Sequence, residues 1–369
     1  MASTYDYGPL IFKPATAEDD ADLQALCRDN PMDSWVRVSM EREPSFFAAE
    51  RLWPESLPVI VRDRSRHGLA AGMWYAGALR SFVNGGEARC AYLGGLRIAA
   101  GYRHKPRFLR AGYQSIRALS LQSLGAPDVW FTSIADDNAP AKRLLEAGLR
   151  GLPRYRPAGS LHTLAIGVRQ GVRRGLLRRA TSSDLPALIE FYNRQSKNHQ
   201  FAPVLSQAWL ASLSNVLSVE DFLVLADGGT ICGCLALWDQ RAFKQTVVQG
   251  YRFPLQFLRR PWNWLAYLRR SIPLPAAGSQ LNSAFIAFFA LDPAYADLAP
   301  AVIQDALAGL DDGLVAGLLG LSVDNPMHQS ITESLRPQVY GTTIYTLEWP
   351  DSEPPAIDDR PVQPEIAML

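Results

Sequence analysis

The sequence predicts a mixed α/β protein made of two tandem domains. Its 369 residues far exceed the roughly 150 residues of a typical domain, which favours two cores. Hydrophobic residues make up 48% of the chain and charged residues 20%. These values are close to those of an average globular protein and exclude wholesale disorder. Each half also shows antiparallel hairpins followed by alternating strands and helices, an order typical of a mixed sheet.

Two sequence matches in the same order indicate an internal repeat. The segment FKPATAEDDADLQAL begins at Phe12 and matches LRRATSSDLPALIEF, which begins at Leu177, at an offset of 165 residues. Further along the chain, Asn138 matches Asn325 at an offset of 187 residues. Because the offset grows between the two matches, the second copy carries an insertion of about 22 residues.

The first copy begins with a short strand, and a helix follows directly after Thr16, where threonine or a nearby acid can cap it. Two hairpins come next, and the second turns at Asn84-Gly85, a dipeptide typical of tight hairpin turns. The remainder alternates between a strand that ends at Ile98, a helix over about 106–124, the strand DVWFTSI and the helix APAKRLLEAGL.

The second copy repeats this order, with a hairpin turn at Asp227-Gly228-Gly229. Its insertion, Arg241–Arg270, holds seven basic residues, seven aromatic residues and no acid. A helix is predicted from about Pro261. Three interpretations stay open for this segment: a lid on the substrate channel, a patch for an anionic surface, or a docking element between domains or subunits with snorkelling arginines.

These observations set the predicted boundaries. We expect an N-terminal domain over 1–160, a linker over 161–175 and a C-terminal domain over 176–350, which contains a basic-aromatic insertion over 241–280. The segment 351–369 is rich in proline and acidic residues, so it is predicted to be an extended or poorly ordered tail.

Charge and motif content exclude several classes of protein. The net charge of +1 gives no sign of a nucleic-acid binder, and the apolar run Ala284–Leu291 is far shorter than a membrane helix. Cys232 and Cys234 are two residues apart and are predicted to share one face of a strand. Because no second Cys or His pair with zinc spacing exists, they are predicted to pack in the core and not to bind zinc. No metal is therefore expected. No secretory signal is visible at the N-terminus, so a cytoplasmic location is predicted.

Two segments, LGGLRIAAGYRHKPRFLRAGY and SIADDNAPAKRLLEAGL, resemble the GCN5-related N-acetyltransferases, the GNAT superfamily. In the second segment Asn138 starts a helix that ends in Leu144-Leu145-Glu146 before Gly148, similar to the family's pattern. Asn138 also has a plain structural interpretation as a helix N-cap. The resemblance covers both halves and implies two tandem GNAT-like domains with acyl-CoA as co-substrate.

The resemblance implies a cofactor site in the first copy. In the family, a bulge in the fourth strand opens a gap in the sheet, the pantetheine arm pairs with the exposed strand edge, and the pyrophosphate sits at the start of the next helix. The residues that match these positions are Leu96, Ile98, Arg103, His104, Lys105, Arg107, Phe108 and Asn138. The chain departs from the pattern because the glycines of the phosphate turn are absent and Pro106 lacks an N–H. The alternative is a cationic surface turn without a ligand.

The second copy matches less well, because its turn over 291–300 has no arginine, no glycine and two acids. We therefore predict that its cofactor site is lost. The family's helix tyrosine, which acts as the acid, is replaced by leucine. Tyr92 is the predicted catalytic residue, with Tyr155 and Ser133 as further candidates, and each could instead be an ordinary sheet residue.

The predicted function is an N-acyltransferase that moves an acetyl group from acetyl-CoA to an amine of a small molecule. A non-catalytic tandem GNAT scaffold or acyl-CoA-binding protein is the first alternative. Transfer of a longer acyl or aminoacyl group near a membrane is the second. The predicted partners include no nucleic acid. Membrane contact is not expected, with Arg241–Arg270 as the segment that could make it, and a homodimer is left open.

Overall fold

The computed structural model describes residues 3–32, 35–103, 105–311, 313–350 and 352–369. The first half forms β1 (Tyr5–Tyr7), β2 (Leu10–Pro14), α1 (Asp20–Arg28), β3 (Val36–Glu41), β4 (Glu55–Asp63), β5 (Leu69–Val83), β6 (Gly86–Ile98), α2 (Pro106–Ser123), β7 (Val129–Ala135), α3 (Ala139–Glu146) and β8 (Arg154–Gly167). The second half forms β9 (Leu177–Arg179), α4 (Leu185–Ser196), α5 (Gln207–Ser212), β10 (Phe222–Asp227), β11 (Thr230–Trp238), β12 (Gln245–Tyr251), α6 (Leu255–Leu268), β13 (Ser283–Leu291), α7 (Ala299–Leu307), β14 (Ala316–Ser322), α8 (His328–Leu335) and β15 (Gln338–Glu348).

Thirteen of the described strands form one continuous sheet in the order β1-β2-β4-β5-β6-β7-β15-β8-β14-β13-β11-β10-β9. Two pairs in it are parallel, β6 with β7 and β13 with β14, and the neighbours on either side are antiparallel. The mixed α/β fold class predicted from the sequence is therefore confirmed. β12 and β3 form a separate two-stranded antiparallel ribbon, which joins the two halves.

The strand that precedes α2, β6, contains a bulge. It pairs with β5 through Tyr75↔Gly94 and then through Met73↔Arg97, so two residues of β6 face one residue of β5. The first of the two is Gly95, with φ +62°. Glycine is suited to this left-handed backbone because it has no Cβ to clash.

The equivalent strand of the second half, β13, contains the same bulge. Its pairing with β11 runs through Ala236↔Ala287 and resumes at Cys234↔Ala290. Here the first bulged residue is Phe288, with φ +51°, a strained backbone for a residue with a side chain. Both halves therefore bend this strand at the same place.

The last strand of each half pairs in the other half. β8 comes from the first half and pairs with β14, for example Leu161↔Ser322, while β15 comes from the second half and lies between β7 and β8. Residues 161–167 of the predicted linker are thus a strand of the sheet. Upstream in the same strand, Pro157 and Gly159 lie within β8 at a bulge in its pairing with β15, where the sheet tolerates them.

Helices cover both faces of the sheet. On one face α2 and α3 pack over the first half, around Trp74 and Tyr113, and α7 and α8 pack over the second half, around Ile303. On the opposite face α4 and α5 pack around Tyr192 and Phe288. Tyr92 lies on this second face, and its neighbour Leu93 lies on the first, as the strand alternation predicts.

The predicted tail, described over 352–369, packs against the sheet through its last residues and does not extend freely. Val362, Ile366, Ala367 and Met368 are buried in the core on the α4 face. The average composition of the tail does not reveal this burial, because most of its acids and prolines precede a short apolar stretch that packs in the core. The tail therefore closes one face of the sheet.

Two local predictions also differ from the structure. The helix in the basic-aromatic insertion, α6, begins at Leu255 and contains Pro261 within it. Cys232 and Cys234 are both buried but pack on different faces, because Cys232 is itself the extra residue of β11 that the pairing with β10 skips. The strand alternation that would align their side chains is broken there.

Candidate active site

The gap that the sequence resemblance implies is present between β6 and β7. Their parallel register runs from Cys90↔Val129 to Tyr92↔Phe131 and stops there, although both strands continue. At the branch point the Thr132 hydroxyl donates a hydrogen bond to the Leu93 carbonyl over 2.6 Å. The bulge at Gly95 follows directly and turns β6 away from β7.

Leu96 and Ile98, predicted as the strand edge, lie beyond this branch point. Leu96 is 36% exposed and Ile98 is half-buried. A small cavity of about 30 Å³ borders them, closed below by Phe108 and Leu109 of α2. This segment of β6 therefore offers an accessible strand edge next to an apolar cavity.

The turn between β6 and α2 is cationic, as predicted. The Arg103 guanidinium donates to the Ile98 carbonyl (3.3 Å) and to Asn30 Oδ1 (2.6 Å), which leaves its remaining N–H groups able to bind an anion. The Lys105 ammonium lies 5.0 Å from the ring centroid of Tyr102, and Arg107 is exposed on the first turn of α2.

Two further predicted site residues at this turn are His104 and Phe108. His104 lies outside the described residues. The Phe108 ring is buried against Tyr102 and Phe12, and its backbone N–H donates to the Lys105 carbonyl over 2.9 Å. Phe108 thus fixes the start of α2 through the core, and its N–H already has an acceptor within the chain.

Asn138 begins α3 at the end of β7. Its side-chain oxygen accepts a hydrogen bond from the Ala141 N–H over 3.2 Å, the geometry of an N-cap. Because β6 and β7 are parallel, this helix start lies at the same edge of the sheet as Ile98. Asn138 is exposed there.

The Tyr92 hydroxyl lies at the base of the gap. It shares a hydrogen bond of 2.8 Å with the Ser133 hydroxyl of β7, and its ring stacks on Trp53 with 5.7 Å between centroids. Burial raises the pKa of Tyr92, although the Ser133 hydrogen bond and nearby arginines oppose this. The structure thus brings together two of the three hydroxyls that the sequence indicated.

Tyr155 does not join them. Its hydroxyl bonds to that of Tyr113 inside the core on the α2 face, on the other side of the sheet from Tyr92. Burial raises the pKa of Tyr155 well above its usual value. This tyrosine pair belongs to the packing of α2 on the sheet.

Three cations gather beside the gap that the sequence analysis did not single out. Arg97 belongs to the bulged segment of β6, Arg42 follows β3, and Lys244 precedes β12. Arg42 interacts electrostatically with Arg97 and Tyr92, and Lys244 with Arg42. Among the described residues, Arg42 Nη1 and Arg97 Nε are buried nitrogen atoms without a hydrogen-bond acceptor.

Lys244 connects this cation cluster, Arg42, Arg97 and Lys244, to the tail. Its ammonium donates to the Ala367 and Leu369 oxygens over 3.1 and 2.8 Å. Burial lowers the pKa of Lys244 well below its usual value, and the charge of Arg42 lowers it further. The cluster carries no sequence motif, because its members come from segments about 50 to 200 residues apart in the chain.

The equivalent gap of the second half is filled by the tail. The Phe288 N–H at the bulge of β13 donates to Glu365 Oε2 over 2.6 Å. Across the gap, the Gln363 side-chain amide donates to the Gly320 carbonyl of β14 (2.7 Å), and its oxygen accepts from the Ser322 N–H (3.0 Å). Burial raises the pKa of Glu365 to about 7.

A metal site and a second, larger cavity are the other candidates for a functional site. In the described part of the chain no three His, Cys, Asp or Glu side chains come together as metal ligands would. A cavity of about 510 Å³ in the second half is lined by both basic and acidic residues. Its buried carboxylate, Asp305, is already held by four backbone N–H groups of residues 174–177.

Comparisons with known proteins give a likeness in structure only. No family model matches the chain, and no curated protein sequence matches it. The structure of Saccharomyces cerevisiae N-myristoyltransferase with bound myristoyl-CoA matches with a TM-score of 0.61 and 11% identity, covering 96% of this chain and 88% of that one. A second structure of that enzyme with myristoyl-CoA gives a TM-score of 0.62 at 10% identity, covering 97% and 84%.

A GCN5-related glucosamine N-acetyltransferase region of a fungal multi-domain GH3 β-N-acetylglucosaminidase also matches. Its TM-score is 0.58 at 12% identity, with 94% of this chain and 38% of that chain covered. The chain therefore shares the fold of these acyltransferases, and the resemblance seen in the sequence is confirmed at the level of the fold.

Proposed function

We propose that the chain is an N-acyltransferase that uses an acyl-CoA thioester, bound in the first half. The observation that carries this proposal is the open gap between β6 and β7 beside a cationic helix start. An extended pantetheine arm fits an unpaired strand edge as an added strand would. The diphosphate of CoA would then meet Arg103, Lys105 and Arg107 at the N-terminal end of α2.

The structure of the second half is evidence that each chain has only one cofactor site, the one in the first half. Glu365 and Gln363 occupy the backbone groups of its gap, so an added ligand would have to displace buried tail residues. Its helix start also carries acids in place of cations, and acids repel a diphosphate. We infer that this half supports the first and shapes the acceptor cleft.

The transfer needs a base for the acceptor and an acid for the leaving thiolate. The amine nitrogen forms a bond to the thioester carbonyl carbon, the C–S bond breaks, the amine loses a proton and the CoA thiolate takes one up. The Tyr92–Ser133 hydroxyl pair at the base of the gap is the proposed relay for a proton at this step.

The cation cluster favours an acceptor that carries an anionic group besides its amine. Arg42 and Arg97 each hold a buried nitrogen that lacks an acceptor among the described residues, and a carboxylate or phosphate would satisfy it. The positive charge there also lowers the pKa of a nearby ammonium group, which eases its deprotonation. A small-molecule amine with a negative group is therefore the proposed acceptor.

Acetyl is the proposed acyl group, because the segments around β6 and α3 resemble those of the GCN5-related N-acetyltransferases. The matched yeast enzyme is described with myristoyl-CoA, so acyl length needs a direct test. Calorimetric titration of acetyl-CoA and myristoyl-CoA into the full chain should show tighter binding of acetyl-CoA.

The site assignment is tested by removing its cations. Charge-assisted phosphate contacts contribute roughly 1.5–3 kcal/mol each, so Arg103→Ala with Lys105→Ala should weaken CoA binding by at least about a hundredfold in the same titration. The matched control is Arg143→Ala with Arg150→Ala, which removes the same charge from exposed positions. The control should bind CoA like the wild type. If the Arg103→Ala, Lys105→Ala variant does so as well, the CoA site lies elsewhere.

A non-catalytic CoA-binding scaffold is the second candidate. It is favoured by Pro106 at the helix start, which removes an N–H donor from the phosphate turn, and by Leu144-Leu145 in place of the family's tyrosine. Thiol release from acetyl-CoA in the presence of a panel of anionic amines distinguishes the two functions. CoA binding without turnover on any member of the panel would favour the scaffold.

A further inference from the structure

The helix of the insertion, α6, turns its apolar side chains to solvent. Their exposed fractions lie between 58% and 74%, whereas large apolar side chains of a globular protein are mostly buried. We call this set the aromatic face; it consists of Phe253, Phe257, Trp264, Tyr267 and Leu268. A contiguous exposed patch of this kind marks an interaction surface.

The orientation of α6 is fixed by its other side. Ala266 is 3% exposed, and the Asn263 side chain exchanges two hydrogen bonds with the Leu274 backbone (2.7 and 2.9 Å). At 100° per residue, Phe257, Trp264 and Leu268 point away from this anchored side. The helix therefore presents its apolar residues outward while it is held in place by polar and backbone contacts.

The segment that carries the aromatic face is cationic. No acidic residue stands between Asp239 and Asp292. Arg260, Arg269 and Arg270 are exposed on α6 or at its end. A partner must therefore offer an apolar phase and negative charge together.

We propose that α6 binds the surface of an anionic phospholipid membrane and lies in the plane of that surface. Aromatic and leucine side chains on one face with arginines beside them are what an interfacial helix requires. In the described part of the chain no helix combines the length and apolar character needed to cross a bilayer, and α6, at about 21 Å for its 14 residues, lies flat. A second copy of the chain is disfavoured as occupant, since it would bring two sets of arginines together.

The proposal goes beyond acyl transfer and adds a location to it. α6 follows β12, and β12 pairs with β3, the strand that leads to Arg42 of the cation cluster. A chain that docks through α6 is thus attached to the lipid surface through the ribbon that borders the proposed acceptor cleft. Amines held at that surface would then be accessible to it.

Sedimentation with vesicles tests the proposal on the full chain. Vesicles of phosphatidylcholine with about 30% phosphatidylserine should bind the protein, vesicles of phosphatidylcholine alone should bind much less, and added salt should weaken binding. Phe257→Ser with Trp264→Ser should lower the partition coefficient at least tenfold. Arg269→Gln with Arg270→Gln should lower it about fivefold for each arginine, and only on anionic vesicles.

The matched control is Leu69→Ser with Leu121→Ser, two leucines exposed by 52% and 50% away from α6, which should bind like the wild type. Failure of the wild type to bind anionic vesicles at low salt would overturn the proposal. So would a concentration-dependent dimer, seen by light scattering, that Phe257→Ser with Trp264→Ser abolishes, since the face would then belong to a second copy. The arginine variant gives an independent readout, because its changes are confined to exposed charges.

Discussion

The Tyr92 hydroxyl has a structural and a proposed chemical role that one substitution can separate. Its ring stacks on Trp53 and contributes to the core, while its hydroxyl reaches Ser133 across the point where β6 leaves β7. Burial raises the pKa of Tyr92 and makes its hydroxyl a weaker acid, so its proposed role is to pass a proton on through the hydrogen bond to Ser133. Phenylalanine would keep the ring and remove only the hydroxyl.

We expect Tyr92→Phe to lower kcat tenfold to a hundredfold with little change in CoA affinity, because the hydroxyl acts on the transferring proton and not on the nucleotide. Steady-state rates and calorimetry on the same preparation check this. Tyr155→Phe is the matched control, since it also removes a buried hydroxyl but on the opposite face of the sheet. A Tyr92→Phe enzyme with the wild-type rate would remove Tyr92 from the mechanism.

Single residues also show what sequence reasoning reaches and what it misses. Strand alternation predicts that Tyr92 and Leu93 lie on opposite faces of the sheet, as they do, because that pattern is local. Arg42 and Lys244 escaped notice, since they come together only when β3 pairs with β12, more than 200 residues further along the chain. A local pattern does not specify a partner at that distance.

At the scale of the element, the start of the first helix explains why the internal repeat is still visible. Asp19 accepts hydrogen bonds from Lys13 (2.8 Å), Arg62 (2.5 Å) and the Thr16 N–H (3.0 Å). In the second half Asp184 is held in the same way by Arg178 and Thr181. The matching residues of the two copies are therefore those that form this cap.

The Asp19 carboxylate makes stability depend on acid pH. Burial would raise its pKa, but the hydrogen bonds from Arg62 and Lys13 outweigh burial and lower the pKa to about 2. A carboxyl whose pKa is lowered on folding stabilises the protein above its unfolded pKa of about 4 and loses that contribution as the pH falls to about 2. The free energy of unfolding should therefore decrease over this interval.

Denaturant unfolding of the wild type and Asp19→Asn between pH 7 and about 2 measures this contribution. Asp19→Asn should be less stable at pH 7 and should show a shallower decrease in acid. Lys13→Gln should move the decrease to higher pH, because it removes one of the bonds that lower the pKa. Parallel pH profiles for the wild type and Asp19→Asn would show that Asp19 does not control acid stability.

Helices with clear start signals were the most predictable elements. The predicted helix over 106–124 is α2 and the predicted APAKRLLEAGL helix is α3. The tail was the least predictable, because its packing depends on a slot that the rest of the chain must form first. Gly320 shows the fit: a Cβ there would lie 2.5 Å from Ile366.

At the scale of the whole molecule, the exchange of β8 and β15 makes each half incomplete without the other. In the first half β7 has β6 on one side and β15 on the other. The duplicated order of elements could be predicted from local patterns. The exchange could not, since the pattern of 154–167 indicates a strand and says nothing of which neighbour it pairs with.

The fragment 1–175 should therefore not fold alone, although the predicted boundaries would make it a domain with a linker. It lacks β15, β14 and the tail that cover β7, β8 and the core on the α4 face. We expect aggregation or a non-cooperative unfolding curve in circular dichroism, and recovery of the native signal when 176–369 is co-expressed. A soluble monomeric fragment with cooperative unfolding would contradict this.

Because of the exchange, β7 is synthesised long before the strand that pairs with it, β15. β7 ends at Ala135 and its neighbour β15 begins at Gln338, so at ribosomal speed roughly 10–40 s pass between the two. Throughout that time the nascent chain carries a bare strand edge able to pair with a neighbouring nascent chain. The yield of folded protein should therefore depend on chaperones and on the rate of translation.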